Sequence, residues 1–133
     1  YSVRSKNEFP SINDQIYLAD TIGELPLWYS SCSTTFVAGS LLPIGGHTPF
    51  EPAFYSSTII HGRHFSNFHD IYTQLDNNHG AIKVIDPLQI SNAWEKLRNK
   101  EFRNKTLSNA HKILFAGSQK EDLIATILRK FEA

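Results

Sequence analysis

The chain has 133 residues, 41% of them hydrophobic, with thirteen Lys and Arg against thirteen Asp and Glu and a single cysteine. That length suits one domain with a modest core, and zero net charge removes the broad positive field that gathers nucleic acid or an anionic membrane. One cysteine excludes an internal disulfide or a cysteine zinc site and fits a reducing compartment, while no apolar run nears the ~20 residues of a bilayer span.

In chain order, residues 1–14 are polar, broken by Pro10, and read as a connection arriving from elsewhere. The opening YSVRSKNEFP lacks the apolar centre of a signal peptide, and a chain without methionine that starts at Tyr1 reads as a segment of a longer protein. From 15 to 85, short β-branched runs alternate with segments of helical period, the mark of parallel strands with crossover helices, so the expected class is α/β. Strands are expected at 15–19 (QIYLA), 34–38 (TTFVA), 58–61 (TIIH) and 81–85 (AIKVI), forming one four-stranded sheet covered on both faces. Helices should start near Ile22, Pro49 and Phe68, and Cys32 should lie buried in an apolar helical stretch. Thr21 with Glu24, Thr48 with Glu51 and Ser118 with Glu121 fit the reciprocal capping box, and Asp86-Pro87-Leu88-Gln89 is a close variant. Residues 86–133 read as a helical tail packed on the sheet, with one apolar stripe at Ile90, Ala93, Trp94 and Leu97 and another at Leu123, Ile124, Ile127, Leu128 and Phe131.

Ligands of open α/β sheets gather where strands end and helices begin, because free N–H groups and the helix dipole there favour negative charge. Two junctions qualify. In ADTIGEL, residues 19–25, Gly23 permits close approach to the backbone, yet Thr21 and Glu24 can satisfy each other without a ligand. In AGSLLPIGGHTPFEP, residues 38–52, the glycines 39, 45 and 46 can set successive N–H groups around a phosphate, and His47 can add a donor. Glu51 can reach back to the N–H of Thr48 or turn outward to a sugar diol, and spacing alone favours capping. The stretch is neither a Walker A loop nor GxGxxG. In HGRHFSNFHD, residues 61–70, Arg63 and His64 can rim the same cleft or be a solvated loop, and no acidic or cysteine ligand joins the histidines at zinc spacing. Asn67 and Asp70 are expected to cap the helix carrying His69, and the acidic residues 76 and 86 to be solvated at turns and caps. There is no GxSxG elbow and no complete catalytic set.

DTIGELPLWY, FVAGSLLPIGGHTPFEPA, GRHFSNFHDI and GAIKV, in that order and spacing, resemble the C-terminal part of bacterial 3-deoxy-D-manno-octulosonic acid (Kdo) transferases over nearly all of residues 15–131. The resemblance implies part of a Rossmann-like, donor-binding domain of a two-domain GT-B glycosyltransferase. It implies transfer of Kdo from CMP-Kdo to the lipid A precursor, inverting, with no metal or cofactor, at the cytoplasmic face of the inner membrane. Ile22, Gly23 and Glu24, with Gly45, Gly46, His47, Thr48, Pro49, Phe50 and Glu51, would meet the CMP-Kdo donor, and Arg63, His64 and Asn67 would form a rim. The acceptor, the membrane and the general base, a glutamate, would belong to an N-terminal domain that no residue here matches, so the chain would be inactive alone. Two departures stand out: Thr48 where the family usually has asparagine, and Arg63 where it often has proline. A non-catalytic nucleotide-binding module, or another nucleotide-sugar enzyme of the same architecture such as an epimerase, remain alternatives.

Overall fold

The computed structural model describes residues 1–116, so the expected cap at Ser118 and the stripe from Leu123 to Phe131 lie outside the described residues. Its body is a parallel three-stranded sheet in the order β3 (Thr34–Val37), β4 (Thr58–His61) and β5 (Ala81–Lys83). Helix α2 (Phe50–Phe54) links the first two strands and α3 (His69–Asn77) the next two, followed by α4 (Pro87–Leu97) and α5 (Lys100–Leu114). Successive side chains of a strand point to opposite faces. Ile59 accordingly packs with Ala53, Tyr72, Leu75, Ala110 and Leu114 under α2, α3 and α5, while Ile60 packs with Val84, Ala93 and Leu97 under α4. Ile59 and Ile60 are 1% and 0% exposed; full burial of such a side chain contributes on the order of 2–3 kcal/mol. This double cover is why β4 is buried along its whole length.

The expected first strand does not join that sheet. Only Tyr17–Leu18, β2, is extended, and it pairs in parallel with β1, Ser2–Val3, in a separate two-stranded sheet. Residues 1–14 therefore supply a strand and a 3-10 turn at Arg4–Lys6 rather than a mere connection. With no helix layer over both faces, Ile16 and Leu18 stay 65% and 50% exposed, and Val3 is the one core residue before β3.

Helix α1 spans Leu25–Ser31, three residues later than expected, with a proline in its first turn. Cys32, expected buried, is exposed just past its end. The caps divide by where their competitors sit. Asp86 Oδ1 accepts from Gln89 N at 2.8 Å and Gln89 Oε1 accepts from Ile85 N at 3.1 Å, so the Asp-Pro-Leu-Gln cap forms. Neither Thr-x-x-Glu box does, because Glu24 is claimed by Arg4 and Pro49, not Thr48, takes the cap position of α2. Ala93 and Leu97 of the first tail stripe are buried, Ile90 packs beside them, and Trp94 stays 44% exposed. Asn99 restarts the helix by accepting from Phe102 N at 2.9 Å, and α5 then lies against β4 and β5.

Candidate functional site

Because the three strands are parallel, the loops that follow them, residues 38–49, 62–68 and 84–86, emerge at one edge of the sheet. The β3 loop turns at Gly39, Gly45 and Gly46, with φ of 72°, 109° and 76°, a region open to glycine at little cost. Those turns aim its carbonyls inward. Gly39 O accepts from Gly46 N at 2.9 Å, Gly45 O from Asn67 N at 3.0 Å, Gly46 O from Asn67 Nδ2 at 3.4 Å and His47 O from the Tyr72 hydroxyl at 2.9 Å. The N–H groups of His47, Thr48 and Glu51, by contrast, have no hydrogen-bond partner among the described residues. A turn whose glycine carbonyls are used internally while the donors that follow are left over is chemically suited to an anion.

The β4 loop holds this arrangement in place. Ser40, fully buried, donates to Val37 O at 2.7 Å and accepts from Gly62 N at 2.8 Å, while His64 N donates to Ser40 O at 2.8 Å. A β-carbon on Gly62 would fall 2.1 Å from Ser40 O, so the two backbones touch there. A β-carbon on Gly45 would strike the Asn67 side chain at 2.6 Å. Asn67, expected to cap α3, instead braces the glycine turn.

Thr48 Oγ1 only approaches Phe50 N, at 3.4 Å. Glu51, partly buried, makes no return bond to Thr48, and its carboxylate has no partner among the described residues, contrary to the spacing-based preference for capping. Its charge is felt nearby: burial first, and then Glu51, push the Tyr29 phenol up from its usual value, which fits α1 packing against α2. Helix α2 is only five residues long and aligns too few peptides for a full macrodipole, so an anion here depends on the loop N–H groups themselves.

The first junction is built differently. Ile22 is fully exposed, a β-carbon at Gly23 would meet nothing within 4 Å, and the N–H groups of Ile22 and Gly23 have no partner among the described residues. The Glu24 carboxylate, however, is taken. Arg4 grips it at 2.7 and 3.0 Å and the Thr21 hydroxyl donates to it, and these hydrogen bonds hold it down at about 2. Only the backbone of 22–23 is therefore open to a ligand.

At the rim, Pro43, Gly45, Arg63, His64, Phe65, Ser66 and His69 line a cavity of about 270 Å³, which brings Arg63 and His64 beside the glycine turn. Neither Asn67, which donates to Gly46 O, nor residues 22–24 are among the residues that line this cavity. A larger cavity, about 530 Å³ between Phe54 and α5, lies at the end of α2, which leads into the start of β4 and so away from these loops.

Sequence reasoning missed one network. His61, wholly buried, bonds Gly62 O through Nδ1 and Asp76 Oδ1 through Nε2, both at 2.8 Å, and Lys83 Nζ meets Asp76 Oδ2 at 3.1 Å. Asp76 is thus not a solvated turn residue. Burial opposes its charge, but the His61 bond and then Lys83 outweigh that and hold its carboxyl below the ordinary range. A histidine in an otherwise apolar strand, TIIH, is the signal that pointed to a partner, since a buried ring needs its nitrogens satisfied. Among the described residues no three His, Cys, Asp or Glu side chains are grouped to hold a metal ion, and no helix is long and apolar enough to cross a membrane.

The chain is 38% identical over 108 residues to the 3-deoxy-D-manno-octulosonic acid transferase of Haemophilus influenzae, covering 80% of this chain and 25% of that protein. It is 33% identical over 98 residues to the same enzyme of Rickettsia typhi, 74% of this chain and 21% of that one. In structure it matches the C-terminal CMP-Kdo binding domain of WaaA from Acinetobacter baumannii with a TM-score of 0.82 and 32% identity, covering 86% of this chain and 61% of that one. The chain belongs to the Kdo transferase family. No protein-family model matches it. It spans about a quarter of the length of the Haemophilus Kdo transferase, and the likeness to the Acinetobacter domain confirms the α/β class.

Proposed function

We propose that this chain is the donor-binding part of a Kdo transferase and that the β3 loop receives CMP-Kdo, with the N–H groups of His47, Thr48 and Glu51 on its phosphate. The single observation behind this reading is an asymmetry around the glycine turn: the carbonyls of Gly39, Gly45, Gly46 and His47 accept from Gly46, Asn67 and Tyr72, while the N–H groups of His47, Thr48 and Glu51 and the Glu51 carboxylate have no partner among the described residues. Glu51 pairs with the ribose hydroxyls, two acceptor oxygens for two donors. Gly45, Gly46, Pro49 and Phe50 shape the turn, and the open backbone of Ile22 and Gly23 meets the nucleotide from the α1 side, with Glu24 fixing that turn through Arg4 rather than touching the ligand. The match to the Acinetobacter CMP-Kdo binding domain supports this donor.

In the parent enzyme, of GT-B type and acting without a metal, a lipid A precursor hydroxyl attacks the anomeric carbon with inversion as the bond to the CMP phosphate breaks. The proton passes to a glutamate of the N-terminal domain. This chain's share is the leaving group: fixed N–H dipoles stabilise charge gathering on the departing phosphate. The acceptor and the cytoplasmic face of the inner membrane are reached through the parent protein, and the chain alone is inactive.

The test is titration of the chain with CMP, followed by amide chemical shifts. Shifts concentrated at residues 45–51 are expected, and Glu51→Gln should weaken binding about tenfold, the loss of one charge-assisted pair, without altering thermal stability. Shifts confined elsewhere, or unchanged affinity in the variant, would overturn the assignment.

A further inference from the structure

The cavity beside Gly45 carries a charge that the CMP site does not use. Its lining includes Arg63, His64 and His69 and no Asp or Glu. Among the described residues the other three arginines each have an oxygen acceptor: Arg4 on Glu24, Arg98 on Glu95 and Arg103 on Leu97 O. Arg63 is exposed, and it donates from Nε to His64 Nε2 at 3.2 Å, while its outer guanidinium nitrogens have no partner among the described residues. The residues beside it are anchored. His64 N is tied to Ser40 O at 2.8 Å, and the His69 ring stacks on Phe65 at 5.9 Å and 25°. A planar guanidinium fork with free nitrogens matches a carboxylate, and a site of about 270 Å³ sits near the lower end for small ligands.

The cavity shares Gly45 with the loop whose His47, Thr48 and Glu51 N–H groups have no partner among the described residues, so two features suited to an anion lie side by side. A nucleotide-activated ulosonic acid has two anionic groups placed that way, because its anomeric carbon bears both the phosphodiester oxygen and the sugar carboxylate. We propose that the Arg63–His64 cavity seats the carboxylate of the donor's acid sugar while the β3 loop holds its phosphate. This rests on the donor-binding reading and deepens it, assigning recognition of the sugar acid to Arg63.

The experiment compares the full chain with Arg63→Ala and Arg63→Lys, measuring affinity for CMP and for CMP-Kdo by calorimetry alongside thermal stability. Because Arg63 is exposed, its removal should leave the fold and CMP affinity unchanged, while affinity for CMP-Kdo falls about tenfold and the lysine variant recovers part of it. Equal losses for both ligands would mean that Arg63 serves the phosphate, and no loss for either would mean a solvated side chain; each overturns the inference and leaves the donor reading standing. A wild-type chain that binds neither ligand overturns the donor reading and this inference with it.

Discussion

The two strand-to-helix junctions of this chain carry the same Thr-x-x-Glu spacing and come out as opposite constructions. At the first, Thr21 and Glu24 turn to each other and to Arg4, and the backbone of Ile22 and Gly23 stands open to solvent. At the second, Glu51 is unengaged and the backbone of the β3 loop is stitched to its neighbour through Ser40, Gly62 and Asn67. A capping signature therefore says that a donor and an acceptor are near a helix start, and the wider packing decides whether they bond each other. Binding capacity follows the same divide: a free carboxylate with pre-arranged donors at the second junction, bare backbone at the first.

Substitution at the glycines breaks this comparison most sharply. Gly62→Ala forces a β-carbon to 2.1 Å from Ser40 O, where only backbone can move, and should cost about 3 kcal/mol or more in chemical denaturation. It should abolish CMP binding as well. At the first junction Gly23→Ala meets open space, and with φ at +87° the cost is backbone strain alone, about 1–2 kcal/mol.

Between these extremes lies acid sensitivity. The Asp76 carboxyl is held below its unfolded value, so its contribution is fully present above an unfolded pKa of about 3.9 and is lost as pH falls through the lower folded value. Asp76→Asn should lower stability by roughly 1–3 kcal/mol at neutral pH and flatten the acid limb of a stability–pH curve. Glu24 is also depressed, but it sits partly exposed beside Arg4, where solvent screens the pair, so Glu24→Gln should move the same curve less. Equal effects at the two sites would erase the proposed distinction between a propped junction and an open one.

What the sequence revealed follows from which forces are local. TIIH is a strand over the expected residues because cover on both faces demands an unbroken buried run, and the Asp86 cap forms because both partners lie within four residues. QIYLA looked alike, yet nothing within the run tells which sheet it joins, and its partner is Ser2–Val3. That Arg4 would grip Glu24 was not legible because it lies twenty residues earlier, and Asp76 was misjudged because its partner lies fifteen residues earlier on a strand. The glycine positions were legible as turns. That Asn67 would fill the space beside Gly45 was not, since it depends on how two separate loops meet.

The contact between Ser40 and Gly62 bears on how this protein can be re-engineered. With one backbone seated directly on another, residues 39–49 and 62–68 form a single mechanical unit, a jaw whose halves cannot be exchanged separately. A chimera that imports the first segment from a relative must import the second with it, and altered donor preference should travel with the pair rather than with either piece.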